Sequence, residues 1–201
     1  LCLIRETLAR HDGLADFAFA MQGLGMGAIS LFGTPEQRRW LERTRAGAAI
    51  SAFALTEPGA GSDLAALRTR AVRDGDDYVI TGQKMWLTNG GSSTLVAALV
   101  KTDEGVEKPH RNLTAFLIEK PAGFGEVAPG LTIPGKIDKL GYKGIDTTEL
   151  IFDGYQAKAS DILGEAPGQG FFQMMDGVEV GRVNVSARAC GVGVRAFELA
   201  V

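Results

Sequence analysis

The organisation of this chain is decided by the stretch Phe53-Ala54-Leu55-Thr56-Glu57-Pro58-Gly59-Ala60-Gly61-Ser62-Asp63. A predicted β-strand delivers a hydroxyl at Thr56, and the proline and glycines after it let the backbone turn sharply and approach a ligand. Free N–H groups in such a turn can hold an anion, and Ser62 adds a hydroxyl donor. The alternative is an ordinary glycine-rich β-turn. The dinucleotide-binding fingerprint does not fit, because Leu64 occupies the position of its third glycine.

A second motif follows further along the chain, at Gly82-Gln83-Lys84-Met85-Trp86-Leu87-Thr88-Asn89-Gly90-Gly91. In a regular β-strand, Trp86 and Thr88 face one side of the sheet and Leu87 faces the other. One face would then offer a flat aromatic ring beside a hydroxyl, which suits a planar heteroaromatic ligand. The alternative is that Trp86 is simply a core aromatic residue.

Short strand signals separated by turns surround both motifs over residues 49–158, and helical spacing precedes and follows them. Asp74-Gly75-Asp76 predicts a hairpin turn, and Leu95–Val100 predicts a strand buried on both faces. We therefore predict an α+β fold, with a central antiparallel β-barrel or sandwich domain between partial helical domains at 1–48 and 159–201. Three glycines are expected to break or loosen the first helical stretch: Gly23, Gly25 and Gly27.

The composition excludes several classes of partner. Hydrophobic residues make up 45% of the chain and charged residues 22%, with a formal net charge of -3, which is typical of a globular protein with no general attraction to nucleic acid or anionic lipid. No uninterrupted apolar run reaches the ~20 residues of a membrane span. We expect no metal site, because His11 and His110 have no ligand-like neighbours. Two cysteines make no disulfide framework and favour a reducing compartment.

Taken together, the two glycine-rich motifs at this spacing resemble those of the acyl-CoA dehydrogenases, and the resemblance covers essentially the whole chain. It implies the end of an N-terminal helical domain (1–48), a flavin-binding β-domain (49–158), and the loop and first helix of a C-terminal helical domain (159–201). The implied activity is FAD-dependent α,β-dehydrogenation of an acyl-CoA thioester, in which a carboxylate removes the α-proton and the flavin accepts hydride. An electron-transfer flavoprotein as acceptor, a homotetramer, and a bacterial cytoplasmic or mitochondrial matrix location are also implied.

The resemblance also implies site residues. Thr56 would bond the pyrimidine side of the flavin, Trp86 would pack on its ring system, and Thr88 would bond near N5. The implied flavin contacts are Phe53, Leu55, Thr56, Gly61, Ser62, Trp86, Leu87 and Thr88, and the implied substrate contacts are Ser62, Glu179 and Arg182. From spacing alone, Glu179 and Arg182 could equally be an ion pair on a helix surface.

No residue of this sequence is predicted to be the catalytic base. Some members of the family place a glutamate immediately before the arginine that matches Arg182, and here that residue is Gly181. Both ends of the sequence resemble the middle of a helix, so we expect an internal fragment with its base beyond Val201 and no turnover alone. Alternative functions are an acyl-CoA oxidase or flavin monooxygenase of the same fold, or a non-catalytic scaffold or binding domain.

Overall fold

The computed structural model describes residues 1–102 and 109–201 and confirms the α+β fold class. Helices come first, a curled sheet occupies the middle of the chain, and one long helix ends it. The helices are α1 (Cys2–His11), α2 (Gly13–Phe32), α3 (Arg39–Arg45) and α4 (Gly170–Ala200). The strands are β1 (Ser51–Ala54), β2 (Arg70–Asp74), β3 (Asp77–Thr88), β4 (Leu95–Lys101), β5 (Leu113–Glu119), β6 (Gly125–Ala128), β7 (Leu131–Ile133) and β8 (Thr147–Ala157).

The sheet is mixed, and this corrects the prediction of a wholly antiparallel domain. Its strand order is β1-β4-β2-β3-β8-β7-β6, and β5 pairs with β4 along the whole length of that strand. Most pairs are antiparallel, including the predicted β2–β3 hairpin, but β1 pairs with β4 in parallel from Ser51 opposite Leu95. Parallel partners need a long crossover, here the whole segment from β2 to β3. Local turn signals identify hairpins and carry no information about such distant pairings.

Strand β4 separates two hydrophobic clusters and is buried on both faces, as predicted. Val96, Ala98 and Val100 face the first cluster, which lies inside the curl of the sheet. The alternate residues of β4 face a second cluster, which helices α2 and α4 close. Met26 of α2 and Met174 of α4 are buried there. Two helices are therefore fixed against one face of the sheet, and this arrangement frames the site described below.

Helix α2 runs unbroken through its three glycines, so the predicted interruption is wrong. Gly25 serves close packing instead, because a Cβ at this position would clash with the side chain of Ser51 at the start of β1. Helix α2 ends at Gly33 and is separated from α1 by Asp12. The three glycines cost helix propensity, but Gly25 allows α2 to approach the sheet closely.

Helix α2 also has the length and composition of a membrane span, although the sequence alone suggested no such run. An 18-residue window within Gly13–Phe32 has a mean hydropathy of 1.3. This is weak evidence, because a core helix of a soluble protein passes the same test. In the fold, α2 packs against β1 and α4.

Thr34 and Gln37 form a capping box in the turn that precedes α3. The backbone N–H of Gln37 donates to Thr34 Oγ1 at 3.2 Å, and the backbone N–H of Thr34 donates to Gln37 Oε1 at 3.1 Å. Gln37 does more than cap, because its amide also donates to the carbonyl oxygen of Ile162 at 2.8 Å and accepts from Gly164 N at 2.9 Å. One buried side chain thereby joins the helical segment to the loop that leads into α4.

Replacing Asp12 with alanine is expected to lower the free energy of unfolding by about 1 kcal/mol. Asp12 is the N-cap of α2, and its Oδ1 accepts from Leu14 N at 2.8 Å and from Ala15 N at 3.0 Å. Denaturant unfolding of the intact protein measures the loss. The matched control is Asp12→Asn, which keeps a capping oxygen and should lose much less. Equal losses in both variants would show that the cap contributes no stability.

Candidate functional site

A cavity of about 1170 Å³ lies between α2, α4 and the edge of the sheet. The sheet side of its wall comes from both motifs singled out in the sequence, and the opposite side comes from the two helices. Six residues represent the chemistry of its lining: Met21, Met26, Phe53, Thr56, Trp86 and Arg182. The wall is mostly apolar, with a hydroxyl, an exposed indole and a guanidinium at separate points, which is the usual make-up of a ligand site.

The two sequence motifs form one continuous wall because the backbone joins them directly. The backbone N–H of Met85 donates to the carbonyl oxygen of Thr56 at 2.8 Å. One residue earlier, Lys84 Nζ donates to the carbonyl oxygen of Leu55 at 3.1 Å. The ends of β1 and β3 are therefore held side by side, and Thr56 and Trp86 lie on the same cavity although thirty residues separate them in the sequence.

A buried ion pair fixes this junction. Lys84 Nζ lies 2.8 Å from Glu57 Oε1, and neither side chain is exposed to solvent by more than 5%. The Glu57 carboxylate also accepts from the backbone N–H of Arg68 at 2.6 Å and of Thr69 at 3.0 Å. The pair and its hydrogen bonds tie the loop after β1 to the start of β2 and the middle of β3. They satisfy a carboxylate that could not otherwise be buried.

The Lys84–Glu57 pair is charged at neutral pH. Burial lowers the pKa of the Lys84 ammonium to about 8, against the opposing effect of the Glu57 carboxylate. Burial alone would raise the pKa of Glu57. The charge of Lys84 and the hydrogen bonds from Lys84, Thr69 and Arg68 outweigh it, so the pKa of Glu57 lies below its ordinary value.

Trp86 is held in an unusual conformation. Its φ of 61° lies in the left-handed region, and its side chain is 55% exposed. The pairing of β3 with β8 shifts register between Lys84 and Leu87, so a bulge interrupts the regular alternation. Met85 and Trp86 both line the cavity, although alternation predicts opposite faces. The bulge turns the indole away from the sheet, so Trp86 lines the cavity and is not a core residue.

The structure brings some of the predicted site residues to the cavity and leaves others outside it. Phe53, Leu55, Thr56, Trp86 and Arg182 line it. The rest are not part of its lining among the described residues: Gly61, Ser62, Leu87, Thr88 and Glu179.

Two of these placements have clear physical reasons. Leu87 is 1% exposed and belongs to the core inside the sheet, on the face opposite Trp86 that regular alternation predicts for it. Glu179 is exposed on α4, and within the described residues it makes no ion pair with Arg182. The carboxylate of α4 that does line the cavity is Asp176, one turn earlier. The surface ion pair considered for these two residues is thus not formed.

Sequence reasoning missed the residues that organise the site. A lysine between strand-forming residues could have been noticed, because lysine is rarely buried without a charged partner. Glu57, next to a proline in the other motif, was the partner to look for. No comparable signal marks the contacts of Asp16 with Arg5 and Arg188, since these residues are brought together only by the packing of three helices.

The described residues contain no group of three or more histidine, cysteine, aspartate or glutamate side chains that could hold a metal ion. The cavity instead fits an aromatic cofactor. It offers an exposed indole on a rigid bulge, the apolar side chains of Phe53 and Leu55, and the hydroxyl of Thr56 on one wall. These are the contacts that a flat ring system with polar edges, such as an isoalloxazine, would require.

Comparison with known proteins agrees with this arrangement. The family described as acyl-CoA dehydrogenase, middle domain, matches residues 52–155, which include both motifs. The chain is 40% identical over 171 residues to a (2S)-methylsuccinyl-CoA dehydrogenase of Cereibacter sphaeroides, covering 83% of this chain and 31% of that protein. It is 37% identical to the human mitochondrial short-chain specific acyl-CoA dehydrogenase, covering 89% of this chain and 41% of that protein.

Solved structures are similar over nearly the whole chain. The crystal structure of an acyl-CoA dehydrogenase from Geobacillus kaustophilus superposes with a TM-score of 0.89 at 34% identity, covering 98% of this chain and 50% of that one. A glutaryl-CoA dehydrogenase from Mycobacterium smegmatis in complex with FADH2 superposes with a TM-score of 0.79 at 32% identity, covering 94% of this chain and 46% of that one. The chain therefore spans about half the length, or less, of the relatives compared here.

Proposed function

The chain belongs to the acyl-CoA dehydrogenase family, and on that premise we propose that the protein containing it binds FAD in this cavity and catalyses the α,β-dehydrogenation of an acyl-CoA thioester. The observation that carries the proposal is Trp86. A large aromatic side chain is kept exposed, on a backbone conformation that tryptophan disfavours, at the wall of a large cavity. Such strain is retained when the residue has a ligand to meet.

The residues of the sheet wall would hold the cofactor. Trp86 would stack on the ring system, Phe53 and Leu55 would supply apolar contacts, and the Thr56 hydroxyl would bond a ring edge. When bound, FAD accepts the hydride that leaves the β-carbon of the substrate. We also propose contacts for the four predicted flavin-binding residues outside the cavity lining: the ring edge for Thr88 and for the backbone of Leu87, and the pyrophosphate for Gly61 and Ser62.

Helix α4 would supply the substrate side of the cavity. Arg182 lines it and is proposed to bind the acyl-CoA, together with Glu179 and with Ser62 from the sheet side. Asp176 is the one carboxylate that the described residues contribute to the lining. We do not assign it as the base. Because the chain spans half of its relatives or less, we propose that the proton-abstracting carboxylate lies beyond Val201 in the intact protein.

The remaining assignments follow from the family and are proposals. An electron-transfer flavoprotein would reoxidise the flavin, and the intact protein would form a homotetramer. Relatives include both a human mitochondrial enzyme and bacterial enzymes, so a mitochondrial matrix and a bacterial cytoplasmic location are both consistent with the proposal. The proposed domain boundaries are 1–48, 49–158 and 159–201.

The test is an absorbance titration of the intact, flavin-containing protein under anaerobic conditions. We expect addition of a suitable acyl-CoA to bleach the long-wavelength flavin band, because substrate dehydrogenation transfers two electrons to the cofactor. A panel of straight, branched and dicarboxylic acyl-CoAs identifies the substrate. Absence of flavin from the purified protein would contradict the roles of Trp86 and Thr56. A bound flavin that no acyl-CoA bleaches would favour a monooxygenase or a non-catalytic binding domain.

A further inference from the structure

A cluster of three charged side chains, which we term the arginine–aspartate triad, lies where α1, α2 and α4 meet: Arg5, Asp16 and Arg188. Arg5 donates to both carboxylate oxygens of Asp16, with Nη2 at 2.9 Å from Oδ2. Arg188 Nε lies 3.4 Å from the same Oδ2. Arg5 and Arg188 both line the cavity, and Asp16 behind them is completely buried.

The triad carries two positive charges, on Arg5 and Arg188, and one negative charge, on Asp16, so one positive charge is in excess. Arg5 directs two of its nitrogens to Asp16, so its pairing is bidentate and strong. Arg188 makes the weaker contact, and in the described part of the chain its Nη nitrogens donate no hydrogen bond. Only 23% of the Arg188 side chain is exposed. A cation in such a position is costly unless an anion accompanies it, so the triad points to a negatively charged group on the ligand.

Two aromatic rings pack beside the Arg188 guanidinium and favour a small anion as its partner. Its guanidinium carbon lies 4.9 Å from the ring of Tyr142 and 5.8 Å from the ring of Phe17, and the two rings lie 4.5 Å apart. Rings attract the guanidinium but cannot neutralise it. Their apolar surfaces displace part of the water around the guanidinium, which strengthens its attraction for a carboxylate. The hydrated phosphates of a nucleotide would bind better on an open, polar surface.

The triad lies well away from the part of α2 that packs on the sheet. Gly27 of α2 approaches Gly177 of α4, and both helices run from there to the triad in opposite chain directions. Asp16 and Arg188 are each eleven residues from that approach, or about 16 Å along a helix. The same cavity therefore has the indole of Trp86 on its sheet wall and a cationic group at its helical end.

We propose that the acyl group of the substrate carries a carboxylate, and that Arg188 binds it. The inference rests on the proposed function, since it concerns the substrate of the same cavity. A carboxylate at the far end of the acyl chain would complete the triad as two cations and two anions. Selectivity would follow, because a neutral acyl chain brings no anion to the excess positive charge that the described residues leave on the triad.

The experiment compares acyl-CoAs of equal carbon number on the intact, flavin-containing protein. Glutaryl-CoA, adipyl-CoA and suberyl-CoA are tested against pentanoyl-CoA, hexanoyl-CoA and octanoyl-CoA, by anaerobic flavin bleaching and by kcat/KM. We expect one dicarboxylic member to exceed its neutral counterpart by roughly 30-fold or more, the range expected for a desolvated charge pair. A preference for the neutral member would overturn this inference and leave the proposed function intact. Failure of all six to bleach a bound flavin would also overturn this inference, whereas the proposed function is contradicted only if the branched acyl-CoAs of the wider panel fail as well.

Two substitutions distinguish substrate recognition from a structural role of the triad. Arg188→Gln should lose roughly 30-fold in kcat/KM for the preferred dicarboxylic acyl-CoA and only a few-fold for its neutral counterpart. The matched control is Arg195→Gln on the exposed part of the same helix, where Arg195 lies 3.7 Å from Glu198. It should leave both substrates unchanged. Equal loss for both acyl groups in Arg188→Gln would mean that the triad only holds the helices together, and would overturn the inference.

The phosphates of coenzyme A are the other possible source of the anion. The same variants are therefore assayed with acyl-pantetheine thioesters, which lack every phosphate. We expect the discrimination by Arg188 between glutaryl and pentanoyl groups to persist with these thioesters. The discrimination would instead disappear with these thioesters if Arg188 binds the phosphates, and Arg188→Gln would then have the same kcat/KM as the unsubstituted protein. That result would overturn the proposal.

Discussion

Replacing Lys84 with methionine is expected to lower the free energy of unfolding by about 3 kcal/mol, the largest single effect that we anticipate on stability. Methionine fills a similar volume, so little cavity forms and the effect is mainly electrostatic. The Glu57 carboxylate would remain buried without its cation, and the described residues would leave it the backbone N–H groups of Arg68 and Thr69 as donors. The carbonyl oxygen of Leu55 would also lose its donor. Denaturant unfolding of the intact protein measures the loss.

A double substitution separates charge from packing. Glu57→Gln combined with Lys84→Met removes both charges and keeps a carbonyl oxygen as acceptor for the backbone donors. We expect this variant to recover much of the stability that Lys84→Met loses, because the unpaired charge is the main cost. If the double variant is less stable than Lys84→Met, the cost arises from packing and the electrostatic explanation is wrong.

The junction has a consequence for ligand binding as well as for stability. Lys84 and Met85 are consecutive, and their bonds to Leu55 and Thr56 hold the two halves of the cavity wall together. Loosening this junction would let the wall residues move relative to one another. Lys84→Met should therefore weaken flavin binding even under conditions in which the protein remains folded, and flavin fluorescence on dilution would report it.

The strands of the sheet were predictable because their signals are local. The hairpin at Asp74–Asp77 follows from turn chemistry, and the burial of Leu95–Val100 follows from an uninterrupted apolar run. The parallel pairing of β1 with β4 was not predictable, since nothing in either strand specifies its distant partner. The glycines of α2 were misread for a related reason. Gly25 packs against Ser51 and Gly27 approaches Gly177 of α4, and only the assembled fold shows these contacts.

The site was predictable in its residue types and less so in its geometry. Both motifs were found from the residues that a planar ligand needs, and Phe53, Thr56 and Trp86 do share one cavity. Regular alternation nevertheless predicted that Trp86 shares its face with Thr88. A bulge adds a residue with a left-handed φ to the strand, so Trp86 shares the cavity with Met85 instead. The triad lay beyond prediction, since its charges come from three helices and have no common sequence pattern.

Replacing Trp86 with glycine is expected to weaken flavin binding by roughly 10-fold or more without destabilising the flavin-free protein. The indole is 55% exposed, so its removal sacrifices little of the hydrophobic core. A φ of 61° costs a tryptophan about 1 kcal/mol, and glycine adopts this conformation freely. The free energy of unfolding should therefore be unchanged or slightly raised. Flavin titration and denaturant unfolding of the same preparation measure the two quantities.

Trp86→Ala is the matched control, because alanine also lacks the ring but keeps the backbone strain. It should bind flavin as weakly as Trp86→Gly and be less stable than it by about 1 kcal/mol. This pattern would mean that the bulge is maintained for the ligand, at the expense of the folded chain. A large loss of stability in Trp86→Gly, with flavin affinity unchanged, would instead make Trp86 a structural residue and remove the observation on which the proposed flavin site depends.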